Sequence, residues 1–234
     1  MLQITQRPSP NRNIGRQGHT PDFIVCHITG GSFTSAINTI LNAGNQVSYH
    51  FVVGRDGNIV QAVDINDTAW ANGTANSGDR DNMRSTLEVV RRRRINANLY
   101  TVSIGFADST GGELTPVQLT AGVDLISHIR NEVARLYGFE IPLTRAHIVG
   151  HHEITPITRP NCPGPQFPFG EIITRLRVED APEAGSDASR PSPWAEEAWE
   201  WGTELGLTDG SNPQGVPTRE QMVTLLHRYH GVMA

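Results

Sequence analysis

Residues 146–164 read AHIVGHHEITPITRPNCPG. The first part, through Gly150, is apolar and β-prone, so it reads as a buried strand that delivers a histidine at its end. The remainder is broken by Pro156, Pro160 and Pro163, and no helix runs through those prolines. Helical spacing therefore does not explain why His151 and His152 stand just upstream of Cys162, one of only two cysteines in the chain. Two readings are open at this point. One is a buried loop with a structural cysteine and a hydrogen-bonded histidine; the other is a ligand cluster.

The same strand-then-histidine pattern occurs earlier. FIVC at 23–26 is a short apolar run that ends at His27, and ITGGS after it reads as a turn. Ser35 to Leu41 reads as a short helix. SYHFVVGRDGNIVQAV at 48–63 predicts a hairpin turning around Asp56-Gly57, and YTVSIGFA at 100–107 a further buried strand. The segment from Leu114 to Gly138 has Thr115 as N-cap, Pro116 at the first helical position and helical periodicity up to a glycine stop. Strands and helices interleave, so the class is α/β with a mixed central β-sheet flanked by helices.

With 234 residues, 37% of them hydrophobic and 18% charged, the chain suits one well-buried domain plus an appendage. Its formal net charge of −5 argues against nucleic acid as a partner. The basic run Arg91 to Arg94 reads as a solvated turn or helix face. Two cysteines form at most one disulfide, and no apolar run suggests a signal peptide or a membrane span. All 19 basic residues are arginines, so chemistry that needs a lysine is excluded. From Ala181 to Pro193 the composition turns to Ala, Pro, Ser and Gly, which reads as a linker. The expected division is a domain at 1–180, a linker at 181–193 and a small helical unit at 194–234, with Thr218 as N-cap of its second helix.

His27 and His151 each follow a hydrophobic strand, and neighbouring strand ends in one sheet lie close together. With Cys162 they make two imidazoles and a thiolate, which leaves one position of a tetrahedral Zn²⁺ open. An ion with an open position acidifies water and polarises a carbonyl.

FIVCHITGG, VSYHFVVGRDGNIVQ, VSIGF, LTPVQL and AHIVGHHE with CPGP occur in the order found in zinc-dependent N-acetylmuramoyl-L-alanine amidases. Over residues 20–178 the chain resembles this family, which includes small phage amidase-lysozymes and peptidoglycan-recognition proteins. The resemblance implies that His27, His151 and Cys162 bind zinc. It also implies cleavage of the amide between the lactyl group of N-acetylmuramic acid and L-alanine in bacterial peptidoglycan. His152 competes with His151 for the ligand role, whereas His50 and His147 read as structural. Tyr49 resembles the tyrosine that phage-type members place near the zinc, with a core tyrosine as the alternative. The chain departs from the family at two points. Ala107, or Gly105 if the register is shifted, stands where many members carry a glutamate, and Asp108 would point to the opposite face of a regular strand. Pro160 stands where phage-type members often carry a lysine, which leaves Arg159 or Thr158 as the donor to an oxyanion.

The terminal unit resembles a single S-layer-homology-like repeat, with GLTDG as its turn and TREQ opening a helix. Wall-polymer attachment, self-association and packing on the catalytic domain are all open for it. Trp194, Trp199 and Trp201 either stack on sugar rings or fill a small core. The expected function is a phage endolysin, made in the host cytoplasm without a signal peptide and released to the wall through a pore formed by another protein. The competing classes are a non-catalytic peptidoglycan-binding module and a host autolysin or recycling enzyme.

Overall fold

The computed structural model describes residues 2–73, 81–179, 190–191, 195–213, 215 and 219–233. FIVCHI is buried along almost its whole length, as expected of a strand covered on both faces, and forms β3 (Phe23–Ile28). It lies between two parallel neighbours, β7 (Thr101–Phe106) and β8 (Ile148–Gly150). On the far side of β7 comes β4 (Phe51–Val53), then β5 (Ile59–Gln61) and β1 (Ile4–Gln6), giving the order β1-β5-β4-β7-β3-β8. Only β4 and β5 pair antiparallel within this sheet, through the hairpin that turns at Gly57 with φ of 84°. β2 (Arg12–Asn13) and β6 (Thr68–Ala69) form a separate two-stranded ribbon.

Helices cover both faces of the sheet. α3 (Pro116–Tyr137) begins where the Thr115 hydroxyl accepts the Gln118 N–H at 3.0 Å and ends at Gly138 with φ of 65°. Its Leu125, Ile126 and Ile129 join Ile172 and Leu176 of α5 (Phe169–Glu179) against Ile24, Cys26, Ile104 and Phe106. On the other face α1 (Phe33–Leu41) lays Ile37 and Ile40 on Val52 and Val60. α2 (Glu88–Arg93) and α4 (His151–Ile154) place Val90 and Ile154 against Phe23, Val25 and Val149.

Two local expectations change in the structure, and a third holds with one exception. β3 runs two residues beyond Cys26, because His27 and Ile28 still pair with Gly105 and Phe106, so His27 lies inside the strand. Asp108 is not on a strand face at all: β7 ends at Phe106 and Asp108 adopts a left-handed φ of 52°. The arginine run ends α2 and, as read, is a helix face with Arg91, Arg92 and Arg94 exposed, except that Arg93 turns inward to donate to Asp22 at 2.7 Å and lie 4.3 Å over the Tyr100 ring.

The chain forms two compact units, Met1–Glu179 and Asp180–Ala234. The second contains α6 (Glu196–Glu204) and α7 (Arg219–Met233). Most of the expected linker, together with Trp194 and Thr218, lies outside the described residues. No helix among the described residues is long and apolar enough to cross a membrane.

Candidate metal centre

Strand register places the two histidines side by side. Cys26 of β3 sits opposite Gly150 of β8, so the next residues, His27 and His151, occupy neighbouring positions at the same edge. Side chains alternate along a strand. Cys26 enters the core under α3, and His27 therefore projects from the opposite face. The Nδ1 atoms of His27 and His151 lie 2.9 Å apart, with ring centroids at 4.3 Å. β8 stops at Gly150, where the chain turns into α4, and this leaves the Ile28 N–H without a strand partner. The Cys162 Sγ accepts that N–H at 3.4 Å. One donor atom each from His27, His151 and Cys162 lies within 4.8 Å of the other two.

The junction at His151 is built by local chemistry. Glu153 returns a carboxylate oxygen to the Gly150 N–H at 2.7 Å, and the same carboxylate pairs with Arg145 at 2.7 Å. This is a capping box that lacks only the side chain of its first residue. Gly164 follows the cysteine with φ of 111°, and a Cβ there would fall 2.3 Å from the backbone of Gly111. Only glycine lets the cysteine loop lie so closely on Gly111-Gly112.

Tyr49 borders the cluster, its ring centroid 5.0 Å from that of His27. The ring crosses β7 at Gly105, where a Cβ would approach Tyr49 Cδ2 to 2.9 Å. Arg159 is exposed, and its charge acts on His27, Tyr49 and Cys162. Thr158 is also exposed, and its carbonyl accepts an Arg159 N–H at 2.8 Å. Ala107 is buried beneath α1 and brings no carboxylate. His50 is buried, accepts the Ser103 N–H at Nδ1 and lies 2.8 Å from Arg16. His147 stacks on Phe23 at 5.6 Å. Both are structural, as expected.

Burial makes the site hostile to charge. It holds His27 well below the usual histidine range, with His151 and Arg159 acting in the same direction. It pushes the Cys162 thiol up, against the Ile28 N–H and Arg159, and it pushes the Tyr49 phenol up. Neutral imidazole is the ligating form. A thiol so placed ionises when a cation arrives to take its charge. His27 Nε2 is buried without a hydrogen-bond partner among the described residues. A compact, desolvated set of two imidazoles and a thiol fits zinc.

Sequence reasoning found the cluster but missed what supports it. The glutamate three residues after Gly150 was a readable cap signal. The roles of Gly105 under Tyr49 and of His152 against the cysteine loop had no sequence signature.

A mixed sheet carrying two histidines in register, with a cysteine folded back onto them, makes a candidate metal-binding site. The family model for N-acetylmuramoyl-L-alanine amidase matches residues 17–165, more than half of the chain, and the protein belongs to that family. Among solved structures, a selenomethionine derivative of AmpD is 20% identical with a TM-score of 0.53, over 76% of this chain and 94% of its own. The amidase LysC from Clostridium intestinale URNW is 19% identical with a TM-score of 0.52, over 76% and 99%. A point mutant of PlyL is 17% identical with a TM-score of 0.53, over 75% and 99%. At these identities the likeness shows a shared fold. No curated protein sequence matches the chain.

Proposed function

We propose that the protein is a zinc-dependent peptidoglycan hydrolase of endolysin type, cleaving the amide between N-acetylmuramic acid and L-alanine. The observation that carries this reading is the convergence of His27, His151 and Cys162 in a chain of the amidase family. Zinc held by these three residues would supply Lewis acidity, polarising the scissile carbonyl and acidifying a water. Burial keeps the Tyr49 phenol protonated, so it donates a hydrogen bond to the oxyanion that develops as the amide is attacked. Arg159, permanently charged and with no ion pair among the described residues, is the second donor, with Thr158 beside it as the alternative.

The unit from 194 onward is proposed as a wall-polymer attachment or self-association module, in keeping with its S-layer-homology-like pattern. Synthesis in a phage-infected host and release to the wall complete the proposal.

The test is clearing of purified cell walls with and without a chelator, with detection of newly freed L-alanine amino groups. Chelator-sensitive release of those groups supports the reading. Freed reducing sugars would move the activity to a glycosidase. Binding without cleavage would favour a recognition module, the reading to which buried Ala107 lends support.

A further inference from the structure

His152, next to a proposed ligand, belongs to neither the donor set nor the core. Its backbone N–H donates to the Cys162 carbonyl at 2.8 Å, and its ring Nδ1 lies 2.9 Å from the same oxygen. A carbonyl only accepts, so the ring carries its proton on Nδ1. The ring also lies against Gly150, where a Cβ would come within 2.7 Å of its Cε1 and Nδ1 and within 2.8 Å of Pro163 Cδ. Gly150, His152 and the Cys162-Pro163 segment thus form one close contact. It closes the loop between the helix that carries His151 and the thiol of Cys162.

We propose that His152 is a positioning residue: its side-chain hydrogen bond sets the separation of His151 and Cys162 and organises the donor set before the metal arrives. The inference rests on the zinc reading above. The Ile28 N–H on Cys162 Sγ and Gly164 packed on Gly111 hold the loop elsewhere, while at the Cys162 carbonyl the backbone N–H is a single bond. The ring adds a second direction of restraint. A loop ordered on folding does not have to be ordered again when the ion binds. Groups that orient metal ligands in this way typically contribute roughly 10–100-fold in metal affinity. This also explains the paired histidines: the first is placed to bind the ion and the second to hold the other ligand in reach.

The test uses the full chain and the variants His152→Ala and His152→Asn, whose amide N–H falls close to the position of the ring Nδ1. Zinc affinity is measured by competition with a chromophoric chelator. Cys162 is labelled by a thiol reagent after metal removal, with Cys26 silent because it is fully buried. The expected result is zinc binding roughly 10–100-fold weaker in His152→Ala and largely restored in His152→Asn. Labelling of Cys162 should be faster in the Ala variant alone. Wild-type affinity and labelling in His152→Ala would overturn the proposal. So would equal loss in both variants, which would make the ring a packing element. Failure of the wild-type chain to bind zinc would sink the metal reading instead. The metal-free labelling rates would then decide the positioning role, unchanged rates overturning it.

Discussion

Two imidazole nitrogens 2.9 Å apart can share only one proton between them, and burial disfavours a second proton on His27. A bound cation would relieve that frustration and would also stabilise a Cys162 thiolate. Replacing His27, His151 or Cys162 with Ala is therefore expected to abolish both zinc content and wall lysis. Thermal stability should fall as well, because an ion bound only to the native state stabilises it. Full zinc occupancy in His151→Ala, by metal analysis, would transfer the ligand role to His152. Tyr49→Phe should retain zinc yet lose roughly 10²-fold in kcat, the usual scale for one oxyanion donor. A kcat near wild type would return Tyr49 to the core. His27 and His151 were legible because each follows an apolar, β-prone run, whereas Tyr49 was singled out by the family resemblance. Their supports were not legible, since hydrogen bonds to a carbonyl ten residues away leave no periodic trace in sequence.

At the level of elements, β3, β7 and β8 do the positioning. β7 carries the one glycine over which the Tyr49 ring lies, and that links strand packing to chemistry. Gly105→Ala should push Tyr49 off its place beside His27. The expected outcome is a folded, zinc-loaded protein whose kcat falls in parallel with that of Tyr49→Phe, checked by metal analysis and steady-state kinetics. Undiminished kcat would show that the ring position is not critical. The hairpin, α3 and the buried strands were readable from caps, turn residues and apolar runs. The end of β3 was not, because strand length is decided by the partner: His27 and Ile28 stay in the ladder only because β7 extends beside them.

At the scale of the molecule, acid sensitivity follows from His50. Burial and then Arg16 hold it well below the usual histidine range, so the folded protein keeps it neutral. The unfolded chain takes up a proton near pH 6.5 that the folded chain refuses. Stability is therefore full above that pH and declines as pH falls below it, by at most about 1.4 kcal/mol per pH unit for one group. Urea midpoints at pH 7.5 and 5.5 should show this decline, and a His50→Asn variant should show a shallower one. An equal acid slope in that variant would assign the effect elsewhere. The division into two units leads to another expectation. A chain ending at Glu179 should fold, bind zinc and cut soluble muropeptides at a normal rate, yet clear intact walls more slowly. Unchanged wall binding with altered sedimentation would make the terminal unit an assembly surface.

Much of this protein was determined by the order of its residues alone. The alternation of apolar runs with capped helices defined a mixed α/β sheet, and the histidines after FIVC and AHIVG marked the chemistry. Those features are local, arising from backbone preference and the burial of apolar side chains along a few consecutive residues. The register that sets Cys26 opposite Gly150 was decided only in three dimensions. So were the thiol that caps the Ile28 N–H and the ring of His152 on the Cys162 carbonyl. Each depends on groups between 10 and 134 positions apart in the chain, brought together by the packing of the whole sheet.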